Sequence, residues 1–405
     1  MATSKKFKIA TLGCRTNQYE SQAYGAQLRA QGYTEVAEGE AADICIVNTC
    51  TVTASADQQS RQQLRRLARE NPGAKLVVTG CAADRLGDAS GALVVLNKDK
   101  ERLLEIAVPE ESWPEFKIDH FAAHTRAFVK VQDGCNSFCT YCIIPYVRGR
   151  SRSRKMDDIL REIEDLVAHG YKEVVITGIN VGDFEGEKGE KLADLVRSVD
   201  SVQGLKRLRI SSIDPDEVDD NLASAVLEGK NTCPSMHIVL QSGSNVILKR
   251  MNRKYTRQVF LETVRRLKKA RPDFTFTTDV IVGFPGETEG DFEETLSIIE
   301  EIQFAKVHMF PYSDRERTRS ALYPNKVPAN VIDERKNKVL RLSEQVAFSL
   351  RKSYVGREME VLTEERGKGH TDNFLPVLVG DVSANELVRV QIVENTPAGL
   401  IGKRL

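Results

Sequence analysis

Short apolar segments alternate with amphipathic ones along most of this 405-residue chain, a pattern that leaves few folds open. Strands that alternate with helices form parallel sheets, because each helix carries the chain back across the sheet. We therefore predict a small parallel α/β domain over residues 5–112. Its predicted strands are residues 7–12, 43–48 and 75–79, and its predicted helices are residues 18–30 and 54–70.

A second series of strands and helices follows a connector that begins near residue 112. Six strands with helices between them build a full or partial barrel of the TIM type, so we predict a (β/α)6 barrel over residues 120–352. The predicted strands are residues 127–132, 173–177, 206–211, 235–240, 274–282 and 306–310. The predicted helices are residues 156–169, 193–199, 215–227, 257–270, 289–303 and 327–352.

The last segment, residues 353–405, has a different pattern. Its short apolar runs are broken by glycine, asparagine and proline, which favours a small all-β barrel. Barrels of this size often bind oligonucleotides. The predicted fold class is α/β, with a parallel α/β domain, a partial barrel and a small β-barrel in that order.

The composition is that of an ordinary globular protein, with 41% hydrophobic residues, 29% charged residues and a formal net charge of zero. No apolar run approaches the roughly 20 residues that span a bilayer, and the N-terminus lacks the apolar segment of a secretory signal. The eight cysteines are too sparse for a disulfide scaffold. We therefore expect a cytoplasmic protein without a membrane partner.

Three cysteines follow the first predicted barrel strand in the pattern Cys-x3-Cys-x2-Cys, at Cys135, Cys139 and Cys142. Thiolates at this spacing suit one face of a cubane iron–sulfur cluster, and without a fourth cysteine nearby one iron stays open to a small molecule. Open coordination positions usually mean chemistry rather than structure. The alternatives are an incomplete zinc site and three unrelated thiols, although residues 143–145 offer no further zinc ligand.

Three more cysteines hold equivalent positions in the N-terminal domain, since Cys14, Cys50 and Cys81 each follow a predicted strand. The carboxyl ends of parallel strands meet at one edge of a sheet, and Gly13 and Gly80 allow close approach there. A single cysteine at such a position is usually just a small buried residue. Three in the same position favour a second three-thiolate iron–sulfur cluster.

A run of basic residues without any acidic residue follows the first cysteine triplet. Runs of this kind are usually solvated surface. Beside a reactive site, this run is suited to hold a phosphate backbone near the chemistry, although the net charge does not indicate a nucleic-acid binder. Its members are Arg148, Arg150, Arg152, Arg154 and Lys155.

The cysteine triplet, with Tyr141 directly before its last member, resembles the signature of the radical S-adenosylmethionine enzymes. The chain as a whole resembles the methylthiotransferase family within that superfamily. Two positions depart from the family pattern: Arg-Thr-Arg at residues 317–319 replaces a small Gly-Thr turn, and Asp84 stands where relatives often have glutamine. The matching segments are residues 13–20, 48–53, 79–81, 148–153, 241–244, 279–287 and 310–313.

This resemblance implies two [4Fe-4S] clusters and S-adenosylmethionine as cofactors. Cys135, Cys139 and Cys142 would hold the cluster that binds and cleaves S-adenosylmethionine. An auxiliary cluster, carrying the sulfur to be inserted, would be held by Cys14, Cys50 and Cys81. One S-adenosylmethionine would methylate that sulfur, and a second would yield the radical that removes hydrogen from an unactivated C–H carbon. The expected contacts with S-adenosylmethionine are Tyr141, Gly178, Asn180, Ser211, Gln241 and Gly283.

Members of the family modify an adenosine next to the tRNA anticodon, carrying an isopentenyl or a threonylcarbamoyl group, or an aspartate of a ribosomal protein. Residues 17–20 and 369–374 resemble the threonylcarbamoyladenosine branch, whose substrate has a carboxylate that an arginine can hold bidentately. The candidate substrate contacts are Arg148, Arg150 and Arg152, with a plain phosphate contact as the alternative.

The implied partners are the tRNA anticodon stem-loop and an electron donor such as flavodoxin or ferredoxin, and DNA is not expected. The rival hypotheses within the family are the isopentenyl-adenosine and the ribosomal-aspartate reactions. Outside it, the chain would be a radical enzyme with a different reaction, or an RNA-binding module whose clusters are purely structural.

Overall fold

The computed structural model describes residues 5–37, 39–86, 91–118 and 125–405. Five strands of its first part form one parallel sheet in the order β2-β1-β3-β4-β5. The predicted parallel α/β fold is confirmed here, and the three predicted strands lie at the centre of the sheet. The elements are β1 (Lys6–Thr11), α1 (Arg15–Ala30), β2 (Thr34–Glu35), β3 (Ile44–Thr49), α2 (Ala54–Glu70), β4 (Lys75–Gly80), α3 (Ala83–Leu86), β5 (Leu93–Val94) and α4 (Leu103–Ala107).

The local sequence explains how these central elements begin and end. Strand β3 is buried along its whole length, as expected for a central parallel strand with helices on both faces. Helix α2 begins after Thr53, whose hydroxyl accepts the Ala56 N–H at 3.1 Å. It ends at Asn71, directly before Pro72, because proline cannot continue a helix. The end of β3 and the start of α2 are therefore both fixed at the same edge of the sheet.

The central part of the chain forms the predicted partial barrel. Strands β6, β9 and β10 make one parallel sheet, and β11, β12 and β13 make another. Parallel bridges from Leu208 to Thr232 and from Ile213 to Ile238 join the two sheets, so six strands lie side by side in chain order. The elements are β6 (Arg126–Lys130), β7 (Gln132–Asp133), α5 (Ile144–Val147), β8 (Arg152–Ser153), α6 (Met156–Ala168), β9 (Glu173–Thr177), α7 (Leu192–Asp200), β10 (Arg207–Ile210), α8 (Asp220–Glu228), β11 (Ser235–His237), α9 (Asn245–Arg250), α10 (Arg257–Ala270), β12 (Thr275–Val282), α11 (Glu289–Ile302), β13 (Lys306–Pro311) and α12 (Ala329–Lys352).

A short antiparallel pair, β7 with β8, brackets the first cysteine triplet. Gln132 lies opposite Ser153, and Asp133 lies opposite Arg152. The sequence analysis did not predict this pair, since strands of two residues are too short to show any periodicity. The pair brings the basic run back beside the start of the cysteine loop.

The C-terminal segment forms the predicted small β-barrel, closed in the order β14-β15-β16-β18-β17. Two arginines of β10 fasten it to the amino end of that barrel strand. Arg207 donates to the carbonyl of His370 at 2.9 Å, and Arg209 donates to the carbonyl of Thr371 at 2.9 Å. The strands are β14 (Glu358–Glu365), β15 (Lys368–Thr371), β16 (Pro376–Leu378), β17 (Leu387–Thr396) and β18 (Gly399–Arg404).

The N-terminal domain packs against the partial barrel through α1. Tyr19 on α1 donates to Glu162 on α6 at 2.9 Å, and both side chains are buried. The domain limits 5–112, 120–352 and 353–405 stay predictions, and the limit at residue 120 lies outside the described residues. None of the helices in the described ranges combines the length and the apolar character that a membrane span requires.

Candidate active site

The loop between β7 and α5 holds Cys135, Cys139 and Cys142 at the carboxyl end of the first barrel strands. Its entry is fixed by Gly134, whose φ of 72° places it in the left-handed region. A Cβ at this position would lie 2.1 Å from the carbonyl oxygen of Arg150, so a larger residue would not fit without moving the backbone. The conformation of the cysteine loop therefore depends on Gly134 and on its close approach to Arg150 beside the β7–β8 pair.

The thiols of this loop are free and only partly accessible. Burial raises the pKa of Cys135, and burial together with the neighbouring Cys139 raises the pKa of Cys142. Arg253 donates to the sulfur of Cys139 at 3.0 Å. Buried thiols that lie close together resist ionisation, because each thiolate would lose solvation and repel its neighbours. A bound cationic group would favour the thiolates, because its charge offsets both costs.

The second set of thiols lies at the carboxyl ends of β1, β3 and β4. Gly13 has a φ of 95°, and a Cβ there would lie 2.8 Å from the Cβ of Cys50. Cys14 is exposed, whereas Cys50 and Cys81 are buried. Burial raises the pKa of Cys50 to about 12 and also raises the pKa of Cys81. In each set, therefore, burial raises the pKa of two of the three cysteines.

Both sets of thiols line one cavity of about 960 Å³. Within the described ranges, no group of three or more cysteine, histidine or carboxylate side chains is arranged to hold a single metal ion. The thiolates of a cubane bind different irons and stand farther apart than the ligands of one ion, so this arrangement suits clusters better than zinc. The six cysteines of the cavity are Cys14, Cys50, Cys81, Cys135, Cys139 and Cys142.

Four of the residues expected to contact S-adenosylmethionine line this cavity, namely Tyr141, Gly178, Asn180 and Gln241. The structure does not put the other two there. Ser211 is buried and the next residue, Ser212, lines the cavity instead, because successive residues of an extended chain point to opposite sides.

Gly283, the other residue outside the cavity lining, has surroundings that indicate a packing role. Its N–H donates to Glu287 at 2.7 Å. Gly283 also has a φ of 77°, and a Cβ there would lie 2.4 Å from the side chain of Ile332 on α12. A larger residue at position 283 would therefore collide with the helix that closes the partial barrel.

Arg148, one of the predicted substrate contacts, is buried in the structure. Its side chain is fully buried and donates to Glu20 and to Asp133, each at 3.0 Å. Its Nε also donates to the sulfur of Cys81 at 3.2 Å, and its second Nη donates to Asn17. Arg148 therefore joins the loop of the first cysteine set to a thiol of the second set.

The other two candidate substrate contacts remain accessible. Arg150 is exposed, and its guanidinium lies over the ring of Phe138 at 4.4 Å from the centroid. Arg152 is also exposed and lies 3.5 Å from Asp133. Both residues are near the mouth of the cysteine loop, since β8 begins at Arg152 and pairs with β7. They keep the role of predicted substrate or phosphate contacts.

Sequence reasoning missed a polar cluster in the wall of the cavity. Asp214 and Arg253 form a close ion pair, and both line the cavity. Nearby, Asn180 donates to Glu217 at 2.8 Å. Arg253 belongs to a basic group that is evident in the sequence, but nothing in the sequence connects it with Asp214 or with Cys139. This contact pairs residues that are distant in sequence, so only the folded barrel brings them together.

Replacing Glu217 with glutamine is expected to remove part of the pH dependence of stability. Burial and the nearby Asp214 raise the pKa of Glu217 from 4.5 to about 7. The folded state therefore holds this proton more tightly than the unfolded chain, so the stabilising contribution is complete below pH 4.5 and is lost as pH rises through 7. In urea unfolding of the cluster-free chain, E217Q should gain about 1–2 kcal/mol over the wild type between pH ~5 and pH ~8.

The matched control for this experiment is E262Q, which removes an exposed carboxylate from α10. It separates the loss of a surface charge from the loss of the buried one. Parallel pH profiles for the wild type and E217Q would contradict the assignment of a raised pKa to Glu217.

Comparisons with known proteins agree with this arrangement. Residues 129–299 match the model of the radical SAM superfamily, and residues 6–95 match an uncharacterized protein family designated UPF0004. Among solved structures, the radical S-adenosylmethionine methyltransferase TsrM from Kitasatospora setae has a TM-score of 0.57 and 14% identity. The match covers 76% of this chain and 75% of that protein. This likeness concerns the fold alone.

Curated relatives match the chain from end to end. The threonylcarbamoyladenosine tRNA methylthiotransferase MtaB of Chlamydia pneumoniae is 50% identical over 98% of this chain and 97% of its own length. The MtaB protein of Bacillus subtilis is 38% identical, over 95% and 93%. The tRNA-2-methylthio-N(6)-dimethylallyladenosine synthase of Clostridium perfringens is 37% identical, over 98% and 97%. The chain belongs to the radical S-adenosylmethionine methylthiotransferase family.

Proposed function

We propose that this enzyme inserts a methylthio group at C2 of N6-threonylcarbamoyladenosine next to the anticodon of tRNA. The observation that carries the proposal is that two three-thiolate sites, on two different domains, open into one cavity. Insertion of sulfur into a C–H bond needs a sulfur carrier and a radical source that reach the same carbon. The choice of nucleoside rests on the 50% identity to the MtaB protein of Chlamydia pneumoniae, against 37% to the dimethylallyladenosine synthase.

The residues of the cavity have distinct tasks in this proposal. Cys135, Cys139 and Cys142 would hold the cluster that binds S-adenosylmethionine, and Cys14, Cys50 and Cys81 would hold the auxiliary cluster. When bound, these cofactors supply radical chemistry for a C–H bond that is not acidic enough for a general base.

The wall of the cavity orients S-adenosylmethionine. Tyr141 is partly buried and packs edge-on with Phe284, 6.3 Å between the ring centroids, and its ring is suited to contact the adenine. Asn180 and Gln241 offer amide groups to the polar parts of the cofactor. Arg253 donates to the sulfur of Cys139 and ties the cysteine loop to Asp214. The protein thus positions its cofactors and substrate instead of transferring protons itself.

The nucleic-acid surface in this proposal surrounds the cysteine loop. Arg150 and Arg152 are exposed there and suit contacts with phosphates of the anticodon stem-loop. The closed C-terminal β-barrel is of a size that often binds oligonucleotides. An electron donor such as flavodoxin or ferredoxin is required as a further partner, since the radical chemistry consumes electrons. A tRNA substrate and reduced thiols favour a cytoplasmic location.

The proposal is tested by mass spectrometry of nucleosides from total tRNA of cells with and without the gene. We expect loss of the 2-methylthio form of threonylcarbamoyladenosine alone, with accumulation of threonylcarbamoyladenosine. Loss of the 2-methylthio form of dimethylallyladenosine instead would support the same reaction on a different nucleoside. No change in either nucleoside would contradict the proposal and direct attention to an aspartate of a ribosomal protein. Absence of S-adenosylmethionine cleavage by the reduced enzyme would favour a purely structural role of the clusters.

A further inference from the structure

A second, smaller cavity lies inside the partial barrel. Its volume is about 30 Å³, which is room for roughly two water-sized groups. It therefore suits one small polar group and is too small for a nucleobase. The residues around it include three arginines and a histidine: Arg15, Arg126, Arg209, His237, Thr277 and Phe374.

This small cavity shares a wall with the large one. On one side, Cys14 lines the large cavity and the next residue, Arg15, lines the small one. On the other side, Asp279 lines the large cavity and His237 lines the small one, with 3.3 Å between His237 Nε2 and Asp279 Oδ1. A molecule that reacts beside Cys14 is therefore within reach of Arg15.

Arg15 differs from the other two arginines of the small cavity. Arg126 forms an ion pair with Glu364 at 3.0 Å, and Arg209 forms one with Glu173 at 2.8 Å. For Arg15, the part of the chain that the structure describes provides a ring contact only. Its guanidinium lies over the ring of Phe128, 5.3 Å from the centroid, and no carboxylate in that part lies within ion-pair distance. Among the described residues, Arg15 is thus the arginine of this cavity that has no ion-pair partner.

The surroundings of Arg15 disfavour its positive charge. Arg15 is exposed to solvent and lines the small cavity together with Arg126 and Arg209. The positive charges of Arg126 and Arg209, which line the same cavity, repel the charge of Arg15. An anionic ligand that reaches Arg15 would relieve this cost, so the site favours an anion over a neutral group.

We propose that Arg15 binds the carboxylate of the threonyl group of the substrate, which rests on the function proposed above. In threonylcarbamoyladenosine the carboxylate is joined to the reacting edge of the base through the short substituent on N6. In this proposal C2 lies beside the auxiliary thiols and the substituent extends to Arg15, the residue that follows Cys14. A guanidinium binds a carboxylate with two parallel hydrogen bonds, and a carboxylate matches the size of the cavity. An apolar dimethylallyl group would leave Arg15 unpaired, so the same residue selects against it.

The test compares Arg15→Gln with the wild type on two anticodon stem-loops. One carries threonylcarbamoyladenosine, and the other carries its methyl ester, which lacks the negative charge. For the wild type, we expect the acid to bind about 100-fold more tightly than the ester. For R15Q we expect this preference to be lost, with an increase in KM and a smaller change in kcat. Binding is measured by fluorescence anisotropy on the oxidised holoenzyme, which does not turn over.

Two controls separate recognition from structure. Arg265→Gln removes an exposed arginine from α10 and should retain the preference for the acid. Arg15→Lys keeps the charge but loses the bidentate geometry, so it should retain part of the preference. An equal preference for the acid in R15Q and in the wild type would overturn the proposal. Equal losses of affinity for the acid and the ester stem-loops in R15Q would also overturn it. Failure of the wild type to modify either stem-loop would instead overturn the proposed function.

Discussion

Replacement of Cys14, Cys50 and Cys81 together by alanine is expected to abolish methylthiolation and to leave the cleavage of S-adenosylmethionine in place. Methylthiolated product should fall roughly 100-fold or more below the wild type, since the cysteines that the structure describes outside the two sets, Cys45 and Cys233, are single buried residues. The iron content of the reconstituted protein should fall to about half. The measurement is product analysis by mass spectrometry, with 5'-deoxyadenosine from the same reaction as the second readout.

The reason for this separation is the division of the thiols between two domains. The auxiliary set comes from β1, β3 and β4 of the N-terminal sheet, whereas the first set comes from one loop of the barrel. The barrel loop is shaped by Gly134 and by the β7–β8 pair, neither of which depends on the auxiliary cysteines. Cleavage of S-adenosylmethionine needs only the first set, so it should continue without being coupled to sulfur insertion.

Cys45→Ala is the matched control for this experiment. Cys45 is a buried cysteine of β3 in the same domain, in contact with the core instead of the cavity. This variant should keep both activities and its full iron content. Loss of both activities in a folded triple variant would contradict the division of roles between the two thiol sets.

The arrangement of the cysteines could be predicted from sequence because it follows from the topology of parallel sheets. Each auxiliary cysteine directly follows an apolar strand, and the carboxyl ends of such strands meet at one edge. The order of strands in the partial barrel is equally simple, since neighbours in sequence are neighbours in space. Strong local patterns and one topological rule were therefore sufficient to predict the fold and the positions of the six thiols.

The side-chain contacts of the site could not be predicted in this way. Ser211 and Ser212 differ only in which side of an extended segment they face, and a shift of one residue reverses that assignment. The basic run that begins at Arg148 resembles solvated surface, and its first member is nevertheless buried. The partner that decides this, Glu20, is 128 residues away in sequence. Pairings over such distances leave no local pattern.

Arg148 is the centre of a buried charge network between the two domains. Glu20 comes from α1 of the N-terminal domain, and Asp133 comes from β7 of the barrel. Lys100 contacts both carboxylates, and Lys130 lies 3.9 Å from Glu20 and 3.8 Å from Asp133. Burial by itself would raise the pKa of Glu20, but the positive charges of Arg148, Lys100 and Lys130 outweigh it and lower the pKa to about 2.

The pH dependence that follows has a definite sign. Glu20 has an ordinary pKa of 4.5 and a folded-state value of about 2, so the folded state releases this proton more readily than the unfolded chain. Its contribution to stability is therefore complete above pH 4.5 and is lost as pH falls toward 2. Arg148 is the largest of the causes that lower this pKa, so its removal should weaken the acid sensitivity.

Arg148→Met is accordingly expected to lower the free energy of unfolding by about 3–5 kcal/mol near pH 7, the usual cost of breaking a buried ion pair by removing one partner. Lys100 and Lys130 still face the two carboxylates, which favours the lower end of that range. The difference from the wild type should shrink as pH falls from 4.5 toward about 2, because the wild type loses the contribution of the ionised Glu20 in this range. Urea unfolding of the cluster-free chain at several pH values measures both effects.

Arg148→Lys and Arg150→Met complete this experiment. Lysine keeps the charge but cannot donate to Glu20, Asp133 and the sulfur of Cys81 at once, so R148K should lie between the wild type and R148M. R150M removes an exposed arginine from the same loop and should change stability by no more than about 0.5 kcal/mol. Equal stability of R148M and R150M would mean that the buried network does not hold the domains together. Retention of the full auxiliary cluster and its activity in a stable R148M protein would show that the contact with Cys81 is dispensable.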